Sequence, residues 1–124
     1  MTGSATDKTV LVVEDDETTR EALALELREA GYGCVTAGDG RAALDYLATH
    51  SAPDVIVLDM LLPVLDGWHF LQQLRQRGAA ASIPVIIATA TVISRAWALD
   101  HGCAGFVQKP VEAGALLDEI RRCL

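Results

Sequence analysis

The stretch Asp54-Val55-Ile56-Val57-Leu58-Asp59 decides how this chain folds, together with its counterpart Val10-Leu11-Val12-Val13-Glu14-Asp15 near the start. Each is a short, almost uninterrupted apolar run that stops abruptly at acidic residues. Apolar runs without polar alternation read as strands covered on both faces, as in a parallel sheet. If the two are neighbouring parallel strands, Glu14, Asp15 and Asp59 meet at one edge of the sheet. Three carboxylates in a partly desolvated cleft repel one another at a cost on the order of several kcal/mol. Such a cluster is tolerable mainly when a cation sits in it, and oxygen ligands at modest count favour a hard ion such as Mg2+.

Outward from these two runs, β-type and helix-type segments alternate along the whole chain. Residues 8–13, 33–37, 54–58, 83–88 and 105–108 read as strands, the first, third and fourth nearly all apolar. Helical patterning covers 18–30, 40–49, 67–77, a short piece near 94–101, and 111–123. Gly31 and Gly78 mark two helix ends, and Asp66 is placed to cap the third helix. On the first helix Leu23, Leu27 and Ala30 form the stripe expected to be buried, with Thr18, Ala22, Leu25 and Glu29 opposite. Strict βα alternation implies right-handed crossovers and a doubly wound α/β sheet.

The remaining composition narrows the function. A chain of 124 residues, half of it hydrophobic, suits one domain with one core. Residues 1–7 read as a flexible N-terminal tail and 8–124 as the domain. A formal net charge of −7, with Lys and Arg scattered, argues against direct nucleic-acid binding. Cys34, Cys103 and Cys123 are odd in number, lack metal-type spacing and read as reduced thiols. No apolar stretch reaches the ~20 residues that span a bilayer, and residues 1–8 lack the apolar segment of a signal peptide. The expectation is a soluble, cytoplasmic protein that does not bind membranes. His50, His69 and His101 read as exposed helix residues, and Trp68 and Trp97 as partly buried ones.

Open parallel sheets collect function outside the carboxyl ends of their strands. The residues at those ends are Glu14 and Asp15, then Gly38 and Asp39, then Asp59, Thr89 and Lys109. A hydroxyl, an ammonium and three carboxylates on one rim make a site for a phosphoryl group. A cation and Lys109 would neutralise its oxygens, Thr89 would donate a hydrogen bond, and Asp59 is left as the nucleophile.

Four segments carry a resemblance: Val12-Val13-Glu14-Asp15-Asp16, Val57-Leu58-Asp59-Met60-Leu61-Leu62-Pro63 with Asp66-Gly67, Ile87-Ala88-Thr89-Ala90, and Gly105-Phe106-Val107-Gln108-Lys109-Pro110. In that order and near that spacing, the chain resembles the receiver domain of two-component response regulators, chemotaxis receivers among them, over essentially its full length. The resemblance implies a flavodoxin-like (βα)5 fold with strand order 2-1-3-4-5. It implies that Asp59 is the phosphoacceptor and that Asp15 binds Mg2+ directly, with Glu14 acting through water and Leu61 lending its backbone carbonyl. Thr89 and Phe106 take the switch positions, Lys109 pairs with the phosphoryl group, and the Lys109-Pro110 bond is cis. The segment between Thr89 and Lys109 is short for the family, leaving a fourth helix of at most two or three turns around Trp97 and Leu99 and making this region the expected most mobile part. Leu61 and Thr91 occupy positions that govern water access to the phosphoryl group.

The function these residues imply is a phosphorylation-controlled switch rather than an enzyme. Its partners would be a sensor histidine kinase or histidine phosphotransfer protein, which Thr18, Ala22 and Leu25 would help to dock, and a downstream protein or effector domain. A phosphorylation-linked dimer fits the same scheme. Two alternatives stay open: an aspartyl-phosphate phosphatase, for which Leu61 stands where such enzymes place a second Asp, and an interaction module that keeps the fold without the chemistry. A flavin site is disfavoured by the acidic first loop, which offers a phosphate no donors.

Overall fold

The computed structural model describes residues 7–112 and 114–124. Residues 1–6 of the expected tail lie outside the described residues. The chain forms β1 (Thr9–Val13), α1 (Glu17–Glu29), β2 (Gly33–Ala37), α2 (Gly40–Thr49), β3 (Val55–Leu58), α3 (Gly67–Leu74), β4 (Val85–Thr89), α4 (Arg95–Asp100), β5 (Gly105–Gln108) and α5 (Ala115–Cys123), with a 3-10 turn at Gly78–Ser82. All strands pair in parallel in the order β2-β1-β3-β4-β5. This is the doubly wound, flavodoxin-like arrangement anticipated from the alternation and the resemblance.

Why the central strands lack polar residues is visible in how they divide their side chains. Leu11 and Val13 of β1, Ile56 and Leu58 of β3, and Ile87 of β4 pack on one face with Leu44, Phe70, Leu71 and Leu74 from α2 and α3. Val10, Val12, Val55, Val57, Ile86 and Ala88 pack on the other with Leu23 and Leu27 of α1 and Leu116 and Ile120 of α5. Successive residues of a strand point to opposite faces, so a strand covered on both sides needs apolar residues at every position. Burial of each large aliphatic side chain is worth roughly 1.5–3 kcal/mol, and this double layer holds the strand ends in fixed register.

Several boundaries differ from the sequence expectation for local reasons. β4 starts at Val85 rather than 83 because Pro84 offers no N–H to the ladder. α3 stops at Leu74 rather than 77, and the chain enters the 3-10 turn at Gly78, whose φ is +60°. α5 starts at Ala115 rather than 111, after Gly114 with a φ of +83°. On α1 the buried stripe is Leu23, Ala24 and Leu27, while Ala30 is the half-buried C-terminal cap. Asp16, Asp39, Asp66 and Ser94 cap their helices, each accepting a bond from the backbone N–H three residues on. α4 has six residues, fewer than two turns. Among the described residues no helix is long and apolar enough to cross a membrane.

α4 is fastened by one charged cluster. Glu119 of α5 is buried, accepts a bond from the Phe106 N–H at 2.9 Å and pairs with Arg122 and, at 2.8 Å, Arg95. Arg95 also donates to the Phe106 carbonyl at 3.1 Å. Both backbone polar groups of Phe106, on the edge strand β5, are therefore met by side chains. Gly105 leaves the room: a Cβ there would lie 2.7 Å from Glu119 Oε1.

Two outcomes are expected. Gly67→Ala would place its Cβ 2.6 Å from Met60 Cα and 2.7 Å from the Asp59 carbonyl oxygen; it should destabilise by about 1–3 kcal/mol in urea unfolding, and an unchanged midpoint would contradict this packing. For Glu119, burial raises the carboxyl pKa, but the bonds from Arg95 and Phe106 N–H and the nearby arginine charges more than offset it, leaving it below the ordinary 4.5. A depressed carboxylate contributes stability above its unfolded pKa that is lost as pH falls through its folded pKa. Glu119→Gln should therefore cost about 1–2 kcal/mol near neutrality, since both arginines are largely exposed. The gap from wild type should close below pH ~4.5; a pH-independent gap would show that the ion pairs contribute nothing.

Candidate functional site

Four strand ends deliver the rim. Glu14 and Asp15 directly follow β1, Asp59 follows β3, Thr89 is the last residue of β4, and Lys109 follows β5. Because β1, β3, β4 and β5 are neighbours in register, these side chains converge. Glu14 and Asp59 are only 2% and 6% exposed and Thr89 is fully buried, whereas Asp15 faces solvent. One carboxylate oxygen from each of Glu14, Asp15 and Asp59 lies within 4.8 Å of the others.

Asp59 is held on both oxygens. Thr89 Oγ1 donates to Oδ1 at 3.0 Å, the Leu61 N–H donates to the same atom at 3.1 Å, and Lys109 Nζ donates to Oδ2 at 2.9 Å. Lys109 also donates to Glu14 Oε1, so one ammonium bridges two buried carboxylates from different strands. The second oxygen of Glu14 accepts from the Asp16 N–H at 3.1 Å. Thr91 reaches the same hydroxyl from the loop after β4, its N–H 3.4 Å from Thr89 Oγ1.

The electrostatics follow from burial. Two carboxylates at this separation repel by roughly 3 kcal/mol at an effective dielectric of about 20. Burial pushes the Glu14 carboxyl above the ordinary 4.5, and the Asp59 charge adds to this, against the pull of the Lys109 and Asp16 N–H bonds. Burial alone would lower the Lys109 pKa, but its bonds to Glu14 and Asp59 and their charges outweigh it, so the value is raised and the ammonium stays charged.

The loop from β3 to α3 positions Asp59 and Leu61. The Gly67 N–H bonds the Met60 carbonyl at 3.1 Å, closing the loop on itself, and the Leu65 N–H bonds the Pro63 carbonyl at 2.6 Å across Val64. Val64 has a φ of +67°, a left-handed conformation costly for a β-branched residue, and its side chain is exposed. The Lys109-Pro110 peptide is cis.

The other residues singled out in the sequence fall around this centre. Phe106 is buried on β5 opposite Ile87, two register steps below the Thr89–Gln108 pair, and is outside the acidic cluster. Thr18 and Ala22 are exposed and line a groove beside Lys109 with Ala90, Pro110 and Val111. Leu25 is exposed and lies further along α1, in a second groove that Ala22 also lines, with Arg28 and Thr36. Leu61 meets Asp59 through its backbone and is itself exposed. Trp68 is exposed rather than partly buried, and packs edge-on against Trp97 and His101, whose rings stack 3.9 Å apart; His101 is accordingly half-buried. His69 and His50 are exposed, His69 against the capping Asp66. All three cysteines are free thiols, buried or half-buried. The sequence reading passed over Arg20, Arg95 and Glu119, which bind backbone groups of this region.

Known proteins share this fold. The response regulator receiver domain family matches residues 10–121. The response regulator MprA of Mycolicibacterium vanbaalenii is 40% identical over 93% of the chain, which covers 49% of that protein. The chain thus spans about half the length of the curated relatives it matches. Among solved structures, the chemotaxis response regulator CheY4 of Vibrio cholerae superposes with a TM-score of 0.84 at 30% identity, covering 94% of this chain and 98% of that one. The receiver domain of a sensor histidine kinase from Pseudomonas aeruginosa, determined with a magnesium ion coordinated in its active-site cleft, gives 0.82 at 28% identity, covering 93% and 95%. With the match running from the first strand to the last helix and the sheet order identical to that expected, this chain belongs to the receiver domain family of two-component response regulators.

Proposed function

We propose that Asp59 is the phosphoacceptor of a two-component phosphorelay. The observation that carries this is the environment of its carboxylate, buried at the sheet rim with Lys109 on one oxygen and Thr89 and the Leu61 N–H on the other. Transfer from a phosphohistidine forms a bond between an Asp59 oxygen and phosphorus and breaks the phosphorus–nitrogen bond, leaving the electron pair on the imidazole. Lys109, already charged between two carboxylates, offsets charge on the phosphoryl oxygens. Thr89, whose hydroxyl now donates to Asp59 Oδ1, is the donor that follows the new group.

The acidic set fits Mg2+. One oxygen from each of Glu14, Asp15 and Asp59 lies within 4.8 Å of the others, an all-oxygen set of the kind that suits this hard ion. Asp15 and Asp59 would hold the ion directly, Glu14 through water and Leu61 through its carbonyl. When bound, the ion supplies positive charge for the phosphoryl oxygens. Magnesium in the cleft of the related Pseudomonas aeruginosa receiver supports the same assignment.

Thr89 and Phe106 would carry the signal, the first by moving with the phosphoryl group and the second from the strand bonded to β4. The phosphodonor would be a sensor histidine kinase or histidine phosphotransfer protein seated on α1, and the recipient a downstream protein or effector domain. A dimer linked to phosphorylation and a cytoplasmic setting belong to the same reading.

Incubation with acetyl phosphate and Mg2+ should add one labile phosphoryl group by intact mass, absent in Asp59→Asn and with EDTA; equal labelling under either condition would remove Asp59 from this role. Leu25→Glu should slow transfer from the histidine donor on the order of tenfold while sparing acetyl phosphate labelling. Unchanged donor transfer would place the docking surface nearer Thr18 and Ala22.

A further inference from the structure

Glu14 and Asp15 are consecutive, yet their carboxylates converge with that of Asp59 within 4.8 Å. In an extended strand neighbouring side chains point to opposite faces, so the backbone must turn at these two residues for a shared site to exist. Their carbonyls record the turn. Arg20 Nη1 lies 3.0 Å from the Glu14 carbonyl oxygen and 3.3 Å from that of Asp15, so one nitrogen donates to both. Successive carbonyls of a straight strand point apart and cannot share a donor.

We propose that Arg20 is a positioning residue for the acidic pair, holding the bend that turns Glu14 and Asp15 toward Asp59. The inference rests on the Mg2+ reading above. The other bonds of the loop meet different atoms: the Glu14 N–H bonds the Ala37 carbonyl at 3.0 Å, the Asp16 N–H bonds Glu14 Oε2 at 3.1 Å across the bend, and the Asp16 carboxylate caps α1 through Thr19, while Arg20 takes the two carbonyls. Arg20 is the fourth residue of α1, closing its first turn, half-buried against Gly38, with its own N–H bonded to the Asp16 carbonyl at 2.8 Å. The helix that begins at the acidic loop thus reaches back to fix it.

Charge and geometry make opposite predictions here. A guanidinium beside a cation site repels the cation, so removing it should tighten Mg2+ binding if charge were its whole effect. If it holds the ligands, removal should weaken binding, by about tenfold for a partner that orients metal ligands.

Mg2+ titration by calorimetry on wild type, Arg20→Met, Arg20→Gln and Arg20→Lys separates these. We expect weaker binding in Arg20→Met and Arg20→Gln with circular dichroism unchanged, recovery in Arg20→Lys, whose ammonium can meet both carbonyls, and acetyl phosphate labelling restored at high Mg2+. Affinity equal to or tighter than wild type in either neutral variant overturns the inference, as does failure of Arg20→Lys to recover. Should Arg20→Met unfold, Arg20→Gln alone decides. Absence of Mg2+ binding in the wild type would instead defeat the metal-site reading and this inference with it.

Discussion

One ammonium between two buried carboxylates holds the rim of this molecule together. Lys109 joins Glu14 at the end of β1 to Asp59 at the end of β3, although it arrives from β5 across β4. Parallel strands in register present all their carboxyl ends to one side, and crossover helices keep that side open. The same geometry that concentrates useful chemistry therefore concentrates negative charge, and a cationic partner from the far strand is what keeps two such carboxylates desolvated. The apolar strands below, packed on both faces, supply the rigidity that makes the alignment repeatable.

How much of this could be read from residues alone depended on the range of the interaction. The five strands were legible because their apolar runs are continuous and their ends carry chemistry, and Asp66 was legible as a cap because capping is local. The cluster of Glu14, Asp15 and Asp59 was legible once the strands were taken as parallel neighbours. Arg20 was not singled out, although an arginine closing the first turn of the helix that starts at an acidic loop is a signal that could have found it. Val64 gave no sign: nothing in Leu62-Pro63-Val64-Leu65 marks a left-handed valine, which is imposed by closing the loop between Met60 and Gly67. The start of α5 was misplaced because apolar spacing continues through 111–114 while the backbone at Gly114 does not.

The fourth helix shows how a short element can still be anchored. Six residues cannot sustain a helix alone, and the sequence suggested the most mobile part of the fold. Yet Arg95 at its first turn grips both Glu119 and the Phe106 carbonyl, Ala98 is fully buried, and Trp97 stacks on His101 against Trp68. Its attachments are few and polar or aromatic rather than a broad apolar face. A change at Phe106 would act directly on two of them, because the Phe106 backbone is bonded by both members of the Arg95–Glu119 pair.

The charge at the rim is left incompletely balanced, with three carboxylates against the single ammonium of Lys109. Burial holds the Glu14 carboxyl above its ordinary pKa. By linkage, a raised carboxyl contributes stability below its unfolded pKa and loses it as pH rises through the folded value, so ionisation of Glu14 is a cost to the fold. Lys109 offsets part of it, but its single charge is shared with Asp59. A cation admitted between Glu14, Asp15 and Asp59 would supply the missing charge and relieve Lys109 of the Glu14 contact, freeing its ammonium for whatever Asp59 carries. The apolar core fixes where the strand ends stand, and the repulsion built into the rim is what a cation there would relieve.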